Sequence, residues 1–194
     1  MSSIVTRFAT FGVCLLVVLA TSCDVLNTLT ELNVPITITF NPVVSNASMP
    51  HTGVPECTDL TMNSKFNDNK DKLKSATISD LSFQVMSYTG IPSSTDARYD
   101  VIEYRLKFDP SYGDHTEYLL GSFTNVSVAA LMTSAQSIKV TDSALNVAVA
   151  QIKTHPKFCV ISKYTLNGTT GTITSMTSEM KITFQLKVDA ASAL

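Results

Sequence analysis

The sequence predicts a mainly β protein: an antiparallel β-sandwich, or a partly closed barrel, with one amphipathic helix near residues 142–154. Three observations favour this fold class. Apolar and polar residues alternate with a period of two in several segments, which is typical of strands that bury one face. Turn-forming residues separate these segments. Only one long segment of the mature chain has clear helical periodicity, and many strands with a single helix favour two packed sheets.

The predicted strands begin at residue 34. Their inward positions are Val34, Ile36, Ile38 and Phe40; Leu81, Phe83 and Val85; Ile102, Tyr104, Leu106 and Phe108; and Met180, Ile182, Phe184, Leu186 and Val188. Residues 117–128, interrupted near Gly121, and residues 171–176 are further candidates. Residues 157–164 are apolar and compatible with either a helix or a strand. The segment 168–171, Gly-Thr-Thr-Gly, indicates a hairpin.

The predicted helix at 142–154 has its apolar residues on one stripe, at i, i+3, i+4 and i+7: Leu145, Ala148, Val149 and Ile152. Asp142 or Thr141 can cap its first turn, and Pro156 ends it. Residues 67–74 are polar and predict a turn or short helix before a strand that starts at residue 75. Residues 24–33 have helix-like spacing of Val25, Leu29 and Leu32 and predict a short helix packed on the domain.

Residues 1–22 have the three zones of an export signal. Arg7 precedes an uncharged, Val- and Leu-rich run at 8–20, and small residues close the segment. As a helix this run would span about 20 Å, which is too short for the ~30 Å hydrocarbon core of a bilayer. The segment therefore predicts export and cleavage rather than a membrane span.

The end of this segment, Leu19-Ala20-Thr21-Ser22-Cys23, resembles the lipobox of bacterial lipoproteins. The resemblance implies cleavage between Ser22 and Cys23, a diacylglyceryl group on the Cys23 thiol, and a fatty acyl chain such as palmitate on its new amino group. Ala20 stands at the −3 position, where the family favours Leu. Because the last three residues before Cys23 also suit the general signal peptidase, a freely secreted product is the alternative.

These predictions divide the chain into a signal peptide (1–22), a lipid anchor with a short tether (23–33) and a β-sandwich domain (34–194). The pattern of the domain is similar to that of small Ser/Thr-rich β-sandwich lipoproteins of some Gram-negative bacteria. The resemblance implies a cell-envelope protein that faces the periplasm or the cell surface and is held to a membrane by Cys23. We expect the outer membrane rather than the inner one, although Asp24 favours inner-membrane retention in some bacteria.

Composition excludes nucleic acid as a partner. Charged residues are 15% of the chain, and 22 Ser and 25 Thr make up about a quarter of it. Removing Arg7 with the signal leaves 13 basic and 16 acidic residues, a net charge of −3. Binding nucleic acid requires many Lys and Arg to neutralise its phosphates, and a weakly acidic, charge-poor chain argues against such a partner.

Cys57 and Cys159 are the two other cysteines of the mature chain. Export places them in an oxidising compartment, where a disulfide that closes a loop of about 100 residues is favoured. The alternative is two unpaired thiols, with Cys159 filling space in the core.

No residue pattern indicates catalysis, a cofactor or a metal. His51, His115 and His155 lack metal-ligand spacing, and Asp68, Asn69 and Asp71 lack the Gly and Glu of a calcium loop. Three carboxylates, Glu103, Glu117 and Glu179, lie in alternating strands and are expected on the solvent face. The sequence thus predicts a non-enzymatic lipoprotein that acts as an interaction or structural module, with an envelope protein as its expected partner. A carrier or sensor of an apolar ligand is the alternative.

Overall fold

The computed structural model describes residues 31–48, 50–90, 98–138, 140, 143–167 and 172–190. These residues form ten strands: β1 (Glu31–Phe40), β2 (Val43–Ser48), β3 (His51–Thr52), β4 (Glu56–Asp59), β5 (Leu73–Thr89), β6 (Arg98–Phe108), β7 (Glu117–Ser127), β8 (Gln136–Ser137), β9 (Lys157–Asn167) and β10 (Thr172–Asp189). They also form three α-helices, α1 (Ser64–Asn69), α2 (Val128–Thr133) and α3 (Ser143–Ala150), and 3-10 turns at Leu60–Met62, Lys70–Lys72, Pro110–Tyr112 and Gln151–Lys153.

The strands make two antiparallel sheets. Sheet A has the order β1-β10-β5-β8, and β2 continues β1 along the same edge of β10. Sheet B has the order β4-β9-β6-β7, with β3 beside β4 on β9. If β1–β2 and β3–β4 are each counted as one interrupted strand, the two orders become 1-8-3-6 and 2-7-4-5, which is the topology of a jelly roll. The predicted antiparallel sandwich is confirmed, and the sheets do not close into a barrel.

The core lies between the two sheets and consists of their inward-facing side chains. The alternating residues of β10 from Met176 to Val188 are buried, as are those of β5 and β6. Aromatic rings join the sheets: Phe83 contacts Tyr104 with ring centroids 5.2 Å apart, and Phe158 contacts Phe184 at 5.7 Å. Because each large apolar side chain contributes roughly 1.5–3 kcal/mol when fully buried, this layer supplies most of the favourable folding energy.

The free edge of sheet A carries a proline. Pro35 lies in the middle of β1, opposite Gln185 of β10. Proline has no N–H to donate to the ladder, so it is tolerated where its nitrogen faces away from the neighbouring strand. At this position it also removes a donor from the exposed edge, which opposes pairing with another chain.

The predicted helix at 142–154 is confirmed as α3 followed by the 3-10 turn at Gln151–Lys153. The four residues of its predicted apolar stripe are buried against the core. The predicted turn or helix at 67–74 corresponds to α1 and the turn at Lys70–Lys72, although β5 begins at Leu73. Residues 157–164, left open between helix and strand, belong to β9.

Several boundaries predicted from the sequence are wrong. Residues 31–33 are part of β1, not of a helix, because Glu31, Leu32 and Asn33 pair with the end of β10. The remainder of that predicted helix, 24–30, lies outside the described residues. The sandwich therefore includes residues 31–33, which the sequence assigned to the tether. The segment 168–171 also lies outside the described residues; β9 and β10 on either side of it belong to different sheets, so these two strands do not form the predicted hairpin.

The interruption near Gly121 is a β-bulge. Tyr104 pairs with Gly121 and Arg105 pairs with Leu119, so Leu120 is the extra residue and its side chain is buried. A Cβ atom at Gly121 would collide with Cγ2 of Ile138, which follows β8. The backbone N–H of Ile138 donates to Leu81 O at 2.7 Å, so this neighbour is held in place. The position therefore requires glycine for close packing.

We expect Gly121→Ala to lower the free energy of unfolding by roughly 1–3 kcal/mol, because the new methyl group overpacks the contact with Ile138. Urea denaturation followed by circular dichroism measures this change. Ser122→Ala, at the exposed neighbouring position, is the matched control and should stay within about 0.5 kcal/mol of wild type. Equal stability of Gly121→Ala and wild type would contradict the packing described here.

Candidate functional site

The predicted lipidation residue Cys23 and the cleavage residue Ser22 lie outside the described residues. The first described residue, Glu31, is eight residues beyond Cys23, so a fully extended chain would reach at most about 30 Å from one to the other. Glu31 begins β1 beside the end of β10 and the start of β5. Ion pairs join the three strands there: Lys74 lies 3.7 Å from Glu31 and 3.8 Å from Asp189, and Lys187 lies 3.6 Å from Glu31. We call this end of the sandwich the Glu31 end.

Cys57 and Cys159 form a disulfide. The two residues are direct partners in the antiparallel ladder between β4 and β9, and they are 102 residues apart in sequence. Cys57 is exposed, and the bond lies on the outer face of sheet B. Of the two alternatives that the sequence left open, the structure contains the disulfide, and it attaches the short edge strand β4 to the sheet.

The carboxylates beside the disulfide stabilise turns. Asp59 accepts hydrogen bonds from the Thr61 hydroxyl at 2.7 Å and the Thr61 N–H at 2.9 Å, and these bonds lower its pKa, with Lys157 adding to the effect. Asp109 accepts from the Ser111 N–H at 2.9 Å, and hydrogen bonding to the Ser111 side chain and to this N–H lowers the pKa of Asp109. Both side chains cap 3-10 turns at the ends of strands, which is a structural role.

The three carboxylates singled out in the sequence do not converge. Each forms an ion pair with a basic residue on the outer face of its sheet: Glu103 with Arg105 at 3.0 Å, Glu117 with Lys163 at 3.4 Å and Glu179 with Lys181 at 2.6 Å. Glu103 and Glu117 lie in sheet B and Glu179 in sheet A.

The three histidines lie apart. His51 is in β3, His115 is in the loop before β7, and His155 packs edge-on against Tyr112 with ring centroids 4.6 Å apart. Asp68, Asn69 and Asp71 lie on α1 and the turn that follows it. Within the described ranges, no group of three His, Cys, Asp or Glu residues is arranged to hold a metal ion.

A cluster of four buried tyrosines lies between the sheets. The hydroxyl of Tyr99 donates to Sδ of Met176 at 2.8 Å. The hydroxyl oxygens of Tyr88, Tyr104 and Tyr164 have no hydrogen-bond partner among the described residues. Only Tyr104 was predicted to be in the core; the other three were not identified, because tyrosine occurs as readily on a sheet surface as beneath it.

Burial changes the acidity of this cluster. It raises the pKa of Tyr88 to about 12, because the ionised form would lose its hydration. Burial likewise raises the pKa of Tyr99, Tyr104 and Tyr164. The nearby Tyr164 hydroxyl raises the pKa of Tyr104 further. All four therefore stay neutral to a higher pH than an exposed tyrosine does.

A small cleft leads from the surface towards this cluster. It encloses about 10 Å³ and is lined by Phe40, Pro42, Val54, Glu56, Tyr104, Val160, Ser162 and Met180. Pockets for small-molecule ligands usually occupy about 300–1,000 Å³. The cleft is therefore too small for the apolar ligand that a carrier would hold.

Among the helices that the structure describes, none has the length and apolar character needed to cross a bilayer.

Comparisons with known proteins yield distant structural similarity alone. No protein-family profile matches the chain, and no curated protein matches it. Among solved structures, the chain is similar to a decameric BFDV capsid protein (TM-score 0.34, 10% identity, 80% of this chain and 99% of the other). It is also similar to Desmodium yellow mottle tymovirus, with a TM-score of 0.30 and 9% identity over 81% of this chain and 83% of the other. A third similar structure is tobacco necrosis virus, with a TM-score of 0.26 and 13% identity over 82% of this chain and 100% of the other. At these TM-scores the matches support no inference about function.

We expect removal of the disulfide in the double variant Cys57→Ala, Cys159→Ala to lower the free energy of unfolding by about 2–4 kcal/mol, because the bond closes a long loop in the unfolded chain. Urea denaturation with and without dithiothreitol measures the effect. The reductant should destabilise wild type and leave the double variant unchanged. A wild-type midpoint that does not respond to full reduction would contradict a stabilising bond.

The tyrosine cluster predicts a loss of stability at alkaline pH. Tyrosine in the unfolded chain ionises near pH 10, and each buried tyrosine has a higher pKa in the folded state. The stability that they contribute is complete below about pH 10 and is lost as the pH rises towards about 12 for Tyr88 and further for the others. Tyrosinate absorbance and circular dichroism, recorded on the same samples, should show that the buried tyrosines ionise only as the fold is lost. Ionisation of all six tyrosines near pH 10 in a folded protein would contradict this.

Proposed function

We propose that this chain is a lipid-anchored cell-envelope lipoprotein, held to a membrane through Cys23, whose sandwich is a non-catalytic module that binds another envelope protein through its surface. The proposal combines the export-like segment and its lipobox resemblance with the arrangement of the domain that follows.

The disulfide is the observation that carries this proposal. Structural disulfides are typical of exported proteins and rare in the cytosol. The bond uses Cys57 and Cys159, so Cys23 is the one cysteine after the signal segment that is left for another modification. A domain with this bond and a cysteine at the expected first mature position fits a lipoprotein better than a cytosolic protein.

The outer face of sheet A supplies a surface suited to an interaction. Hydroxyl groups on neighbouring strands contact each other there: Thr37 with Thr183 at 3.0 Å, and Ser87 with Thr177 at 2.7 Å. The Ser79 hydroxyl donates to Thr183 O at 3.2 Å. Polar groups on this face can supply the direct hydrogen bonds that protein interfaces use, about ten in a typical one.

The filled interior favours an interaction module over a carrier. The buried side chains of both sheets occupy the space between them, and the cleft beside Tyr104 holds about 10 Å³. A carrier would require the sheets to separate. The remaining alternative, a freely secreted sandwich, has the same fold and lacks only the lipid.

Metabolic labelling with a palmitate analogue tests the proposal. We expect the wild-type protein to be labelled and membrane-associated, and Cys23→Ala to lose the label, because the thiol and the new amino group of Cys23 receive the acyl chains. Cys14→Ala is the matched control, because it removes a cysteine of the signal segment and should retain the label.

Two results would overturn the anchor. One is a wild-type protein that carries no label and is found in the aqueous fraction, which would favour the freely secreted alternative. The other is undiminished labelling of Cys23→Ala, which would place the lipid elsewhere.

A further inference from the structure

We propose that the Glu31 end of the sandwich contacts the bilayer surface directly, through a patch made of Met62, Lys65, Lys70 and Lys72. We call it the connector patch, because it lies on the connection from β4 to β5. This inference rests on the proposed anchor at Cys23 and adds a membrane-binding site within the folded domain.

The connector patch lies at the end of the domain nearest to the anchor. Residues 60–72 lead from the end of β4 in sheet B to the start of β5 in sheet A, and α1 within them contacts β1. Glu31 is eight residues from Cys23, a reach of at most about 30 Å. The 18 residues of β10 span about 60 Å if straight, so the opposite end lies well beyond that reach.

Met62 supplies an apolar contact. It is 85% exposed, more than any other large apolar side chain among the described residues, and Leu32 at the same end is 51% exposed. The turn that carries Met62 is fixed: Leu60 before it is buried, and the Asn63 N–H donates to Leu60 O at 2.9 Å. A long apolar side chain on a rigid turn can enter the headgroup region without cost to the fold.

Lysines supply the charge that anionic lipid headgroups attract. Residues 63–72 contain three lysines and two aspartates, Asp68 and Asp71, a net charge of +1 in a chain whose net charge is −2. Lys74 is occupied by Glu31 and Asp189. Within the described part of the chain, Lys65, Lys70 and Lys72 have no carboxylate within 4.0 Å. These three side chains are therefore available to lipid phosphates.

The absence of tryptophan from the chain allows a direct test. The lipidated full-length mature protein is inserted into vesicles of phosphatidylglycerol and phosphatidylcholine with brominated acyl chains, as Met62→Trp and, separately, as Met86→Trp. Met86 is the matched control, because it is 57% exposed and lies 12 residues beyond Lys74 on β5, about 40 Å away. Leu32→Trp is a second reporter at the Glu31 end.

We expect the bromine atoms to quench the Met62→Trp fluorescence at least twofold more than that of Met86→Trp. Adding Lys65→Glu, Lys70→Glu and Lys72→Glu should remove most of the difference, and so should vesicles of phosphatidylcholine alone. The inference is overturned, and the anchor left intact, if the protein is lipidated but Met62→Trp and Leu32→Trp are both quenched no more than Met86→Trp. A protein that never acquires lipid and stays in the aqueous fraction overturns the proposed function as well.

Discussion

Burial of one face of each long strand against the opposite sheet is the constraint on which the rest of this structure depends. β10 shows it most directly, because it lies between β5 and the β1–β2 edge and turns alternate residues from Met176 to Val188 into the core. A shift of its register by one residue would expose that set and bury Lys181 and Lys187 instead. The same register places Glu31 opposite Asp189 and so brings the start of β1 to the end of β10.

The sequence was sufficient to predict those parts of the fold that alternate in hydrophobicity. β6 and β10 bury every second residue over most of their length, β1 turns alternate residues from Val34 to Phe40 towards the core, and the stripe of α3 has clear helical spacing. β2, β4 and α2 were not predicted. They are short, and partners from distant parts of the chain stabilise them: β4, for example, has almost no alternation of its own and pairs with β9 from 102 residues away at the disulfide. Local pattern carries little information about such elements.

The candidate site was predictable to a similar extent. The pairing of Cys57 with Cys159 could be proposed from export alone, but their position opposite each other in a ladder required the topology. The solvent-facing positions of Glu103, Glu117 and Glu179 followed from alternation. The buried cluster of Tyr88, Tyr99, Tyr104 and Tyr164 did not, since a tyrosine in an alternating strand suits either face and only the packing of two sheets brings the four rings together. The connector patch likewise depends on the topology, because it combines the end of one sheet with the start of the other.

The central claim is that a disulfide-locked sandwich leaves the cytoplasm and is tethered by a single modified cysteine. Intact-mass spectrometry of the protein purified from its own host membranes, before and after reduction, tests this claim most directly. We expect a chain that begins at Cys23 and carries a diacylglyceryl group and an amide-linked acyl chain, with a gain of two hydrogens on reduction. A mass that corresponds to an unmodified chain, or to an N-terminus other than Cys23, would contradict it.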